Sequence, residues 1–198
     1  MRELIKGRQC PNCTPSVELS KPQRILEHGA AHILFDSKIN ATSEPCGLCL
    51  RPSPICTFYL KKSKGTDGNL RIDYNKSKCA NMIPFSYGVA AISTNSSPCS
   101  NVPVPCPWCP QSSPAIWRYN LFRHIKDRHA YVPLKDHEDI WKIGNSERDG
   151  MRRVWNNRHK VKKTRKGRNQ TTPHLVTSEA HTSHRVLRYE FHTYLHPY

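Results

Sequence analysis

Two stretches of this 198-residue chain set cysteine and histidine at metal-binding intervals. Cys10-x2-Cys13 is followed after fourteen residues by His28-x3-His32, and Cys106-x2-Cys109 after fourteen residues by His124-x4-His129. A Cys-x2-Cys turn aims two thiolates at one ion. Two histidines four or five positions apart lie on one face of a helix and can close a tetrahedron. This donor set suits zinc, and four protein ligands leave no open coordination position for hydrolysis. The competing reading is a disulfide beside unrelated histidines. The repeat of the same interval speaks against it.

Between these stretches lie Cys46, Cys49, Cys56, Cys79 and Cys99, one thiol more than a four-thiolate site uses. Cys46-Gly47-Leu48-Cys49 reads as a zinc knuckle in which Gly47 permits the tight turn. The expected ligands are Cys46, Cys49, Cys79 and Cys99. Cys56, beside Phe58 and Leu60 at the start of an apparent strand, reads as a small buried hydrophobe. The alternative uses Cys56 in place of Cys79 or Cys99. The cofactor expectation is therefore two zinc ions, with a third in the middle segment.

The elements that must hold these ligands are partly legible. Ser20 is expected to cap a helix with Pro22 in its opening turn and Ile25 and Leu26 ahead of His28. Its apolar exit, Ile33, Leu34 and Phe35, should pack on a later part of the chain. Ser113-Pro114 reads as the start of the second helix, running through Ile116, Trp117, Leu121 and Ile125 to His129. In the middle, 57–62 and 70–74 read as strands joined by a glycine-containing turn, and 83–94 as a third strand. Beyond His129, Ser146 and Asp149 form an imperfect capping box, and Met151, Val154 and Trp155 recur at helical spacing. They predict a helix from about 147 to 160.

Hydrophobic residues make up only 36% of the chain and prolines number sixteen, so metal must supply stability that one large core would otherwise provide. The opening segment lacks the apolar stretch of a secretory leader, and no apolar run is long enough to span a membrane. Reduced, metal-binding thiols inside the cell are expected. The formal net charge is +16, and residues 152–168 hold nine Lys/Arg and no acid. Lys160, Lys162, Lys163, Arg165, Lys166 and Arg168 are the candidate phosphate contacts and double as a nuclear-import signal. This charge implies polyanion partners, nucleic acid and DNA in particular, with a nuclear location.

At Cys106, Cys109, Leu121, His124 and His129, and again at Cys10, Cys13, Ile25, His28 and His32, the chain resembles the C2H2 zinc-finger family, over 47 of its 198 residues. The arrangement that includes EHGAAHILFD, PCGLCLRP and SSPCSNVP also resembles a group of zinc-finger proteins of mushroom-forming fungi, a likeness that implies no activity. The C2H2 resemblance implies base-reading positions at Trp117, Asn120 and Arg123 in the second unit and at Lys21, Arg24 and Glu27 in the first. Asn120 and Arg123 suit adenine and guanine. The chain departs from the family in having fourteen rather than twelve residues between the ligand pairs. In addition, 73 residues separate His32 from Cys106, so the two units cannot track a groove in tandem.

The expected fold is small α+β and zinc-stabilised: two finger-like turn-helix units flank a short β-rich zinc module, with a basic helical and disordered C-terminal tail. The divisions are a first unit at 8–36, the β-rich module at 44–105, a second unit at 104–132, a basic helical segment at 133–168 and a largely disordered tail at 169–198. The expected function is a zinc-binding nuclear DNA-binding protein, transcriptional or derived from a mobile element. The alternative is a protein-interaction module with Trp108, Trp117 and Tyr119 as an aromatic patch. No HExxH and no deaminase-type His-x-Glu with a following Pro-Cys-x2-Cys occur, so neither an enzyme nor a small-molecule substrate is expected.

Overall fold

A computed structural model of the chain describes residues 8–63 and 69–160. The basic residues Lys162, Lys163, Arg165, Lys166 and Arg168, and the expected disordered tail, lie outside these residues.

The same local order occurs at both ends. Strands β1 (Arg8–Gln9) and β2 (Glu18–Leu19) pair antiparallel around a loop carrying Cys10 and Cys13, and helix α1 (Pro22–Phe35) follows. Pro22 occupies the first turn of α1, where its missing N–H is not needed. The residue capping that helix is Lys21 rather than Ser20, and it makes no side-chain cap. Strands β5 (Pro103–Val104) and β6 (Ile116–Trp117) likewise enclose Cys106 and Cys109. A 3-10 turn (Arg118–Asn120) then leads into α3 (Leu121–Arg128). The helix expected from Ser113 onward therefore begins eight residues later. Ile116 and Trp117 spend their β-favouring side chains on the hairpin instead.

In the middle, β3 (Leu60–Lys62) and β4 (Leu70–Ile72) form the expected hairpin, with Leu60 opposite Ile72. An antiparallel bridge between Thr57 and Lys78 continues the pairing beyond its open end. The third strand expected at 83–94 is absent among the described residues. That segment instead holds a single helical turn, α2 (Tyr87–Ala90), whose Tyr87 hydroxyl donates to Pro103 O at 2.8 Å. After α3 come a 3-10 turn (Leu134–His137), α4 (Glu138–Trp141) and α5 (Asn145–Asn156). Helix α5 starts after Gly144, without a Ser146 cap.

Three apolar clusters tie these pieces together across the boundaries drawn from sequence. The first joins Leu19, Ile25 and Leu26 to Phe58, Ile72, Ile83 and Trp117. Phe58 and Trp117 meet edge to face with centroids 5.0 Å apart, and the Ala115 N–H donates to Phe58 O at 2.7 Å. The second packs the exit of α1 (Ile33, Leu34 and Phe35) against Met151, Val154 and Trp155 of α5. The third surrounds Leu121 and Ile125 with Val132, Ile140 and Trp141. Helix α1 lies so close to the knuckle that a Cβ on Gly29 would sit 2.1 Å from Gly47 O. A Cβ on Gly47 would sit 2.5 Å from the Trp117 ring. Gly47 is thus needed for close approach, and the left-handed residue of the knuckle is Leu50, at φ 61°. No helix among the described residues is long and apolar enough to cross a membrane.

Candidate metal centres

Three groups of four ligand atoms converge, each within 4.8 Å of one another: Cys10, Cys13, His28 and His32; Cys46, Cys49, Cys56 and Cys79; Cys106, Cys109, His124 and His129. All nine cysteines are free thiols.

The spacing within each group fits a tetrahedral ion. Bonds of about 2.3 Å to sulfur and about 2.0 Å to nitrogen give tetrahedral edges of about 3.8 Å between sulfurs, about 3.5 Å between sulfur and nitrogen, and about 3.3 Å between nitrogens. In the first group, His32 Nε2 lies 3.5 and 3.3 Å from the Cys10 and Cys13 sulfurs and 3.2 Å from His28 Nε2. His28 Nε2 lies 3.5 Å from Cys13 Sγ. In the third, Cys109 Sγ lies 3.3 and 3.2 Å from the Nε2 atoms of His124 and His129, and Cys106 Sγ 3.5 Å from the latter. In the all-thiol group, Cys46 and Cys79 are 3.7 Å apart and Cys49 and Cys56 are 3.3 Å apart. That is far beyond a disulfide bond of about 2.05 Å. Each of the three groups could hold a metal ion and is compatible with zinc.

Neighbouring groups orient the ligands. His32 donates from Nδ1 to Asp36 Oδ2 at 2.7 Å, and His124 from Nδ1 to Glu44 Oε1 at 2.8 Å. Each bond turns the opposite nitrogen, Nε2, toward the thiols, as carboxylates behind metal-bound histidines do. Asp36 also caps the end of α1, where its N–H donates to His32 O at 3.0 Å. Glu44 adopts a left-handed backbone with φ 48° just ahead of the knuckle. The His124 hydrogen bond holds its carboxyl below the usual range. Backbone N–H groups of Leu48 and Asn81 point at the sulfurs of Cys46 and Cys79, both at 3.4 Å. Trp155 meets His32 edge-on at 5.1 Å, and Arg158 lies 3.7 Å over the Trp155 ring.

Crowding splits the acidities of the thiols. Burial pushes Cys10 up, but hydrogen bonds from His28 and His32 outweigh it and bring the thiol to about 5. Cys46 is driven strongly up by Cys49, Cys56 and Cys79, while Cys49 is drawn down to about 2 by Cys46 and Cys79. Thiols at this spacing share protons among themselves, and a divalent cation at their centre would displace them.

The structure departs from the expected middle ligand set at one position. Cys99 stands apart from the group, its S–H facing Leu26 O at 3.9 Å, and burial pushes it up to about 12. Cys56 takes its place because the Thr57–Lys78 bridge sets Cys56 across from Cys79. The sequence carried a signal for this: Cys56 immediately precedes the first middle strand, and Cys79 follows the second.

Three of the six expected base-reading positions are inside the molecule, while Lys21 is exposed and Arg24 partly exposed. Asn120 is 3% exposed and its amide donates to Pro45 O at 2.8 Å, so it cannot reach a base. Trp117 is buried against Phe58, and Glu27 is buried beneath Arg24 and Ser97. Arg123 is partly exposed and its Nε lies 3.0 Å from Asp127 Oδ2. Of the expected aromatic patch, Trp117 and Tyr119 are core residues, and Trp108 packs at the edge of the third cluster. Lys160 is exposed just beyond α5.

No family model, curated protein or solved structure matches this chain.

Proposed function

We propose that the chain is a zinc-stabilised, DNA-binding nuclear protein that grips the phosphate backbone through basic surface and does not read bases through its ligand-bearing helices. A relationship to C2H2 zinc fingers, and a transcriptional or mobile-element origin, belong to the same proposal. The observation that carries it is the placement of charge. The formal net charge is +16, and four of the fifteen acids are turned inward: Glu27 and Glu147 are buried, and Asp36 and Glu44 are bound to ligand histidines. Three divalent ions and eight thiolates would change the net charge by only two units, to +14. Surface charge of this sign and size favours polyanions.

The test is binding of the zinc-loaded chain to duplex DNA of unrelated sequences across a salt series. Affinity that falls steeply with salt and varies little with sequence supports the proposal. Salt-independent binding, or binding to no duplex, overturns it. A second reading, a protein-interaction module, draws on the exposed aromatics Phe122 and Tyr131 beside the third centre, of which Tyr131 is 76% exposed. Partner capture that survives nuclease treatment would favour it.

A further inference from the structure

The ligand-bearing helices bury their apolar and ligand faces in the core, so any backbone grip depends on the basic side chains left exposed. Helix α5 carries three arginines and ends at Asn156, ahead of Lys160. Its inner face is fixed at four points. Met151 is fully buried, and a Cβ on Gly150 would come within 2.4 Å of Pro98. Glu147 accepts a hydrogen bond from the Tyr119 hydroxyl at 2.6 Å and another from the Ser100 N–H at 3.0 Å. Trp155 abuts the ligand His32. The acid in its first turn is thereby buried, and the outward arc keeps Arg148, Arg152 and Arg153 exposed beside one exposed acid, Asp149. Arg148 and Arg152, four residues apart, stand about 6 Å from each other along the axis. Arg152 is held over the Phe35 ring at 5.0 Å, which limits the side-chain entropy lost on docking. Where the helix ends, Arg158 donates to Trp155 O at 2.8 Å and lies over the ring that abuts His32.

We infer that the outward face of α5, Arg148, Arg152 and Arg153, is a preformed docking surface for the phosphate backbone of duplex DNA. This rests on the proposed DNA-binding function. It adds to the candidate phosphate contacts at 160–168 a helical contact made of Arg148 together with Arg152 and Arg153, the first two residues of the basic segment. Arginine suits it because its planar fork meets phosphate oxygens in pairs.

The experiment compares four full-length, zinc-loaded proteins on one duplex across a salt series: wild type, R148Q/R152Q/R153Q, R148Q/R153Q and R148K/R152K/R153K. The double glutamine variant leaves the Arg152–Phe35 stack intact, which keeps the test usable if the triple variant folds poorly. Each phosphate contact contributes about 0.9 to the slope of log affinity against log salt, so the triple variant should lose up to about 2.7 and the double variant up to about 1.8. The lysine variant should keep the wild-type slope, since the salt slope counts charges. Wild-type binding with an unchanged slope in both glutamine variants overturns the inference and leaves the broader function standing. A lysine variant as impaired as the glutamine ones also overturns it, because the loss would then reflect packing. No binding by the wild type overturns both.

Discussion

A thiol becomes a ligand only if the backbone brings its sulfur to within a tetrahedral edge of the other three donors. Cys56 satisfies that condition and Cys99 does not. Cys56→Ser should therefore lower the zinc content of the purified chain by one ion, whereas Cys99→Ser should leave it unchanged. Native mass spectrometry distinguishes the two, and the reverse outcome would return Cys99 to the site. The histidine ligands depend on the carboxylates behind them. Glu44 reaches His124 from a loop eighty residues earlier in the chain. Glu44→Ala should weaken metal binding at the third centre about 10- to 100-fold, with the other two centres unaffected. Competition with a chromophoric chelator reads this directly, and equal affinities at all three centres in the variant would show that the hydrogen bond is idle. The eight Cys2His2 ligands were legible because local spacing alone brings them together. Cys56 was legible only as an alternative to Cys79 or Cys99, because its place is set by a bridge between residues twenty-one positions apart.

At the scale of elements, spacing was a good guide to which residues share a helix and a poor guide to where helices begin. Ile25 and Leu26 in α1, and Met151, Val154 and Trp155 in α5, lie on packed faces as their periodicity implied. Ser20, Ser113 and Ser146 looked like caps, yet none caps its helix. At 116–117 the β-favouring Ile-Trp pair found partners in Pro103 and Val104, and tertiary pairing overrode the local proline signal. The knuckle illustrates the same limit. Its glycine reads as a turn residue, but the distances show a contact surface for Trp117 and α1. Gly47→Ala should accordingly cost about 1–3 kcal/mol through overpacking, since the added methyl meets a ring already buried against Phe58. Denaturant unfolding in excess zinc measures this, and an unchanged midpoint would mean that the Trp117 ring moves freely aside.

For the molecule as a whole, the three centres and the apolar clusters are interdependent. Helix α1 supplies two ligands of the first centre, packs on the knuckle of the second and docks α5. Glu44 and Pro45, adjoining the second centre, bond His124 and Asn120 around the third. These connections join the two turn-helix units to the middle module by packing and hydrogen bonds. Long-range packing of this kind leaves no periodic trace. The same interlocking buries Ile25, Leu26, Leu121 and Ile125 of the ligand-bearing helices and leaves Arg148, Arg152 and Arg153 of α5 exposed. Each of the three clusters is shaped to hold one metal ion, and we propose that the chain folds around all three. The most direct test is native mass spectrometry of the full-length protein purified with zinc, with and without a denaturing step. Three zinc ions per folded chain, all lost on unfolding, is the expected result. Two or fewer ions in a chain that is folded and stable would contradict it.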